Sequence, residues 1–258
     1  HSKGLTLTSQ GQEVLRIARP VLAAQEAAGN RLRGMGQRAT KAGAPLALGL
    51  STAFEQGVFA GFVRHMEEHW QAPVRIVRQA SPLLARAVRQ GRLSAALVAL
   101  PLEAAGLSVR PLPYAEPLLA ALPAAWGIPP KKRLRLQDMN GRALFWFRRE
   151  ANPAFFDHMR GLFAHMNFAP QYLEEPEEYD VLLARIAQGE GMGLLPRSFS
   201  AIGRQGVVFQ PLEEGSLMQM DMGLLLPTSD ATAESAASQL EELLTAAACH
   251  LGGQCSGG

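Results

Sequence analysis

The chain has 258 residues, 47% hydrophobic and 19% charged, a globular composition that predicts one large domain or two small ones. No apolar run is long enough to span a bilayer, and no basic start followed by an apolar stretch and a small-residue cleavage site marks an export signal. Cys249 and Cys255 are too few for a disulfide framework, which predicts a reducing, cytoplasmic setting, and the net charge of +2 hides a basic front over an acidic body.

That front comprises residues 1–43, with seven Lys and Arg against Glu13 and Glu26. Such a bias suits either nucleic acid or a solvated helix face. It begins with "KGLTLTSQGQEVLRIARPVL", Lys3 to Leu22, in which Leu5 to Leu7 alternates like a strand and runs at once into a helix start. Thr8 or Ser9 is the expected N-cap, and Ser9 with Gln12 fits a capping box. Val14, Ala18, Val21, Ala28, Leu32 and Met35 recur at helical spacing, which predicts one apolar stripe on a helix from Ser9 to Arg33, kinked at Pro20. The stripe packs on the body or pairs with a second copy. "GMGQRATKAGAP", Gly34 to Pro45, reads as a linker.

The body alternates strands and helices. Strands are predicted at Pro45–Leu50, Val74–Ala80 and Ala95–Leu100, with helices at Ala53–Trp70 and Pro82–Gly91 between them. This order predicts a parallel sheet covered on both faces. The pattern then repeats. Strands are expected at Glu116–Pro123, Arg142–Phe147, Pro170–Glu175 and Met192–Pro196, and helices at Pro153–Asn167 and Asp180–Gly191. A basic, Pro-rich loop interrupts at "GIPPKKRLRLQDMNG", and Leu217–Pro227 and Ser235–Leu251 give a last strand and a last helix. Two similar α/β lobes are expected, with ligands taken up between them at the C-terminal ends of strands.

"HMEEH", His65 to His69, matches the H-x-x-E-H pattern of one zinc peptidase class, but the sequence offers no third ligand, and the competing reading is a solvated helix end. No metal site is therefore expected. "GEGMG", Gly189 to Gly193, follows a helix and precedes a strand, the reverse of a nucleotide loop, and reads as a helix stop. There is no G-x-S-x-G and no triad, so no enzyme and no cofactor is expected.

"LSTAF", Leu50 to Phe54, lies where the first strand meets the first helix. Ser51 and Thr52 offer hydroxyls and backbone N–H groups at a positive helix end, which suits an anion or an ordinary cap. "QASPLL" repeats the arrangement, with Ser81 capping and Pro82 in the first turn. "LFWFRREANP", Leu144 to Pro153, supplies an opposite wall, where Arg148 or Arg149 either forks a carboxylate or is a surface arginine.

Taken in order, these segments resemble LysR-type transcriptional regulators over essentially the full length. "KGLTLTSQGQEVLRIARPVL" is similar to that family's "R-G-x-x-L-T-x-x-G-x-x-L-L-x-x-A-R-x-x-L" at Gly4, Leu7, Thr8, Gly11, Leu15, Ala18, Arg19 and Leu22. "LALGLSTAF", "GRLSAALVALP", "PLLAALP" and "IAQGEGMGLLP" resemble its effector domain. The chain departs from the family at Ser94, where Asp is usual, at Pro20, and in lacking a His-Pro at the crossover. "ALFWFRREANPAFFDHMRGLF" looks most like the branch that regulates aromatic catabolism.

The resemblance implies an α/β fold of two Rossmann-like lobes, as in type 2 periplasmic binding proteins, behind a long linker helix. It implies a remnant of a winged helix-turn-helix at 1–8, a dimerisation helix and hinge at 9–44, lobe I at 45–116 with 216–250, and lobe II at 117–215. It further implies a small organic acid as effector, held by Ser51, Thr52, Ala53, Phe54, Ser81, Pro82, Phe147 and Arg148. A homodimer or homotetramer would act on promoter DNA through the missing N-terminal domain and on RNA polymerase, with no membrane partner. A stand-alone solute-binding protein of the same fold is the alternative, and an enzyme on a two-lobed scaffold a third.

Overall fold

The computed structural model describes residues 8, 10–12, 14, 16–19, 45–129, 133–228 and 234–253. The strand expected at Leu5–Leu7, the Pro20 kink, the stripe beyond Ala18, the hinge before Pro45, part of the basic loop and Cys255 lie outside them. Residues 10–12, 14 and 16–19 are helical. The Thr8 hydroxyl accepts the Gly11 N–H at 3.1 Å, and the Thr8 carbonyl accepts the Gln12 N–H at 2.9 Å. Thr8 therefore makes the bond of a cap, which puts Gly11 rather than Gln12 at the third helical position.

Strands β1 (Leu46–Ser51), β2 (Val74–Gln79) and β3 (Ala95–Leu100) run parallel, with β1 in the middle. The central strands are almost wholly buried and read as continuous apolar runs. β2 is an edge strand, so its Arg75 and Gln79 reach solvent while alternate residues pack. Helix α1 (Ala60–His69) buries Phe62 and Met66 on one face of the sheet, and α2 (Ser81–Arg89) buries Leu84 and Val88 on the other.

The helix expected from Ala53 begins later. A 3₁₀ turn, Gln56–Phe59, comes first, capped by Glu55, whose carboxylate accepts the Gly57 N–H at 2.6 Å. The Ser51 hydroxyl takes the Ala53 N–H at 3.1 Å, so Ala53 is held in a turn instead of a helix.

Strand β4 (Leu107–Pro123) is 17 residues long, about twice the expected length. Its first half was hidden by Pro111 and Pro113. A break in register between Pro111 and Ala115 absorbs those residues, as prolines in strands require. The second half pairs with β7 (Gly193–Pro196) and β8 (Val207–Pro211), the latter a short strand without a sequence signal strong enough to predict it. β9 (Gln219–Pro227) is antiparallel to both β3 and β4 and lies between them. The sheet order is thus β2-β1-β3-β9-β4-β7, with β8 also on β4.

Beyond β4, strand β5 (Ala143–Trp146) pairs in parallel with β6 (Gln171–Glu174), and its Leu144 bridges to Met192 at the start of β7. Helix α3 (Pro153–His165) buries Phe155, Met159 and Phe163; α4 (Tyr179–Ala187) buries Leu182, Leu183 and Ile186 against Phe145, Leu195 and Phe199. α5 (Glu234–Ala248) returns to pack on α1. The chain crosses between its two halves on β4 and β9. The C-terminal ends of β1, β3, β5 and β6 and the first turns of α2, α3 and α4 all border one cavity beside these crossovers.

Candidate functional site

The cavity has a volume of about 620 Å³, the size of a site for a small molecule. Thr52 and Ala53 reach it from the turn after β1, Ser81 and Pro82 from the start of α2, and Phe147 and Arg148 from the end of β5. Six of the eight residues expected at the site are thus brought together. Ser51 and Phe54 are fully buried outside the lining. Phe54 packs edge-on to Phe59, with ring centroids 6.2 Å apart, and to Tyr114, at 6.3 Å.

The serines do something other than capping. Ala80 occupies the cap position of α2 and makes no side-chain bond there. Ser81 is instead the first helical residue, and its hydroxyl lies 2.8 Å from that of Ser51. The same Ser81 oxygen accepts the Ala99 N–H at 3.0 Å, while the Ser51 oxygen accepts that of Ala53. One buried chain of hydrogen bonds therefore ties the ends of β1 and β3 to the start of α2. Both hydroxyls are engaged in holding the wall together, and Thr52 lies beside them in the cavity lining.

On the opposite wall the two arginines are placed differently. Arg149 Nε and Nη2 donate to the two carboxylate oxygens of Asp157 at 2.8 and 2.5 Å, outside the lining. Arg148 is at the cavity, but its Nη2 lies 2.6 Å from Glu174 Oε1. Both members of that pair are exposed, so the pair contributes little to stability. Trp146 also lines the cavity. It is 6% exposed, and its indole Nε1 is buried with no partner among the described residues.

Sequence reasoning missed the acids. Glu174 at the end of β6 and Glu175 and Glu177 after it line the cavity, as does Tyr179 at the start of α4. The run "EEPEEY" was the available signal, but consecutive charges usually mean a solvated surface. Burial pushes the Glu175 carboxyl up to about 7, opposed by a backbone hydrogen bond from Phe147. Burial, and then the neighbouring Glu175, push the Tyr179 phenol up, with Arg78 acting the other way.

The "HMEEH" histidines lie apart from this cavity. His65 and His69 stack at 4.0 Å between ring centroids, and His250 stacks on His65 at 4.7 Å. His250 is the third imidazole that the sequence did not offer, yet no group able to hold a metal ion occurs among the described residues. "GEGMG" is a helix stop, with Gly189 at φ +88° just after α4. Gly191 then crosses β5 so closely that a Cβ would stand 2.9 Å from the Ala143 carbonyl oxygen.

The family model of the LysR substrate binding domain matches residues 40–248. The HTH-type transcriptional regulator IlvR of Caulobacter vibrioides is 26% identical over 217 residues, 83% of this chain and 71% of that protein. A cysteine mutant of Corynebacterium glutamicum OxyR superposes with a TM-score of 0.66 at 21% identity, covering 94% of this chain and 74% of that one. The BenM effector binding domain with its effector benzoate gives 0.64 at 18%, covering 78% and 90%. At such identities the solved structures establish the shared fold, and with a family match over most of its length the chain belongs to the LysR substrate-binding domain family of transcriptional regulators.

Proposed function

We propose that this chain is the sensing part of a LysR-type regulator, in which a small organic acid enters the cavity beside the β4 and β9 crossovers and alters DNA binding by an oligomer. The observation that carries the reading is the cavity itself: about 620 Å³ of space bordered by the C-terminal ends of β1, β3, β5 and β6 and the first turns of α2, α3 and α4. Thr52 adds a polar side chain to the lining, and Phe147 and Phe155 offer apolar surface to the body of the ligand. The family match favours a regulator over a stand-alone solute-binding protein, and relatives that are regulators favour a non-enzymatic role.

In this reading residues 45–116 with 216–250 form one lobe and 117–215 the other, and the helix within 9–44 joins copies into a dimer or tetramer. Val14 and Ile17, both more than half exposed, are apolar surface for a second copy to cover. Promoter DNA and RNA polymerase are then partners of the whole protein in the cytoplasm. Kinship to the aromatic-catabolism branch is supported by the aromatic wall, and the acids on the facing segment set this cavity apart.

A thermal-shift screen of small organic acids tests the site. At least one acid should raise the melting temperature, and Ala53→Phe, which fills the cavity, should remove the shift. No shift with any acid at high concentration, or a shift that survives Ala53→Phe, would overturn the reading.

A further inference from the structure

We infer that His65, His69 and His250 form a proton-sensitive latch, which holds the turn after α5 between α1 and the crossover strand β4 and releases it under mildly acidic conditions. The inference does not depend on the cavity being an effector site.

The contact of three rings carries it. His65 and His69 lie one turn apart on α1, and their rings stack with centroids 4.0 Å apart and planes at 19°. His250 comes from the turn after α5 and stacks on His65 at 4.7 Å and 25°. His69 Nδ1 lies 2.8 Å from the His65 carbonyl oxygen, so that nitrogen carries the proton of a neutral ring. His65 is thus the middle member of a stack that joins two elements far apart in sequence.

The turn it holds is wedged between those elements. A Cβ on Gly61 of α1 would stand 2.6 Å from the His250 backbone oxygen. Leu251 is buried, and a Cβ on Gly252 would stand 2.8 Å from Tyr114 Cε2 on β4. The Tyr114 hydroxyl in turn donates to Glu116 at 3.0 Å. Three consecutive residues therefore fill the space from α1 to β4, and loss of the stack removes support from one side of the wedge.

Protons oppose the stack. Neutral imidazoles tolerate these separations, but protonating two neighbours sets like charges against each other. Among the described residues, burial, then His69 and then His250 disfavour protonation of His65, and Glu68, an exposed acid, is the one group that favours it. The released form binds protons more readily than the docked form. The latch is therefore fully effective above the ordinary histidine value of 6.5 and fails as pH falls below it.

Amide hydrogen exchange of the full chain at pH 7.5 and pH 5.5, corrected for intrinsic rates, tests the latch. Protection of residues 248–253 should fall by about tenfold at the lower pH, the change expected for one proton taken up on opening over one pH unit, while β1 in the core stays unchanged. His65→Phe keeps a stacked ring without the titration, so it should retain protection at pH 7.5 and lose most of the pH dependence. His69→Gln, at an exposed position, removes one of the two neighbouring rings and should lessen that dependence even if His65→Phe does not fold. Equal protection of the turn at both pH values in the wild type overturns the inference. So does a pH dependence that survives unchanged in the folded variants.

Discussion

Ser81 stands at the strand–helix junction where a cap was expected, yet its bonds are not those of a cap. Its hydroxyl accepts the buried Ala99 N–H and is bonded to Ser51 as well. Ser81→Ala should therefore leave a buried donor unsatisfied and cost about 1–3 kcal/mol, read as a lowered urea midpoint with unchanged slope. Glu175 carries a pH dependence of the opposite kind to an ordinary acid. Its folded pKa of about 7 lies above the usual value of 4.5, so the folded state holds the extra proton between those pH values. Stability from this group is fully present below the unfolded pKa and is lost as pH rises through 7. Glu175→Gln should thus raise the melting temperature of the ligand-free protein at pH 8, and the gain should vanish toward pH 4. An unchanged melting temperature at pH 8 would mean that the carboxyl is not desolvated.

Among the elements, α1 is the one whose packing contradicts its propensity. Gly61 lies inside it, where alanine would ordinarily add about 1 kcal/mol of helix stability. A Cβ there would meet the His250 backbone oxygen at 2.6 Å, so α1 approaches the turn after α5 too closely for any side chain. Gly61→Ala should lower the melting temperature despite its better propensity, because a backbone atom must move; a rise would show that the C-terminal turn gives way freely. The histidine stack sits at this same junction. Burial first, and then His69 and His250, lower the His65 pKa, with Glu68 opposing. Its protonation is therefore disfavoured in the folded state, and the contribution of this contact declines as pH falls through the lowered pKa. The strand β4 teaches a related lesson. Its prolines argue against a strand residue by residue, yet a break in register accommodates them because β9 continues on either side.

At the scale of the molecule, Glu116 ties the crossover strand β4 to the turn after β7. It is 1% exposed, accepts the Tyr114 hydroxyl at 3.0 Å and the Ser198 N–H at 2.7 Å, while the Ser198 hydroxyl accepts the Glu55 N–H at 3.3 Å. Glu116→Ala should cost about 2–4 kcal/mol by stranding two donors, and should also weaken effector binding because β4 is the crossover beside the cavity. An unchanged affinity would show that this tie does not set the cavity's shape. Effector at about 100 times its dissociation constant should add about 2.7 kcal/mol to the stability of the intact chain, measurable as a shift in the urea midpoint.

The order of strands and helices was legible because it is local. Runs such as "AALVAL" have no polar face to show solvent, helices such as Pro153–His165 repeat at 3.6, and "LSTAF" and "QASPLL" mark the junctions where such folds take ligands. Those features identified the family and six of the residues around the cavity. The tertiary structure alone decided which of them are available. Ser51 meets Ser81 across 30 positions, Arg148 meets Glu174 across 26, and half-buried Glu175 and buried Trp146 come together at the cavity only when separate strands are laid side by side. A hydroxyl or a charge looks the same in sequence whether it is free or satisfied. Its state depends on partners and solvent exclusion brought from distant parts of the chain, and no local pattern records them.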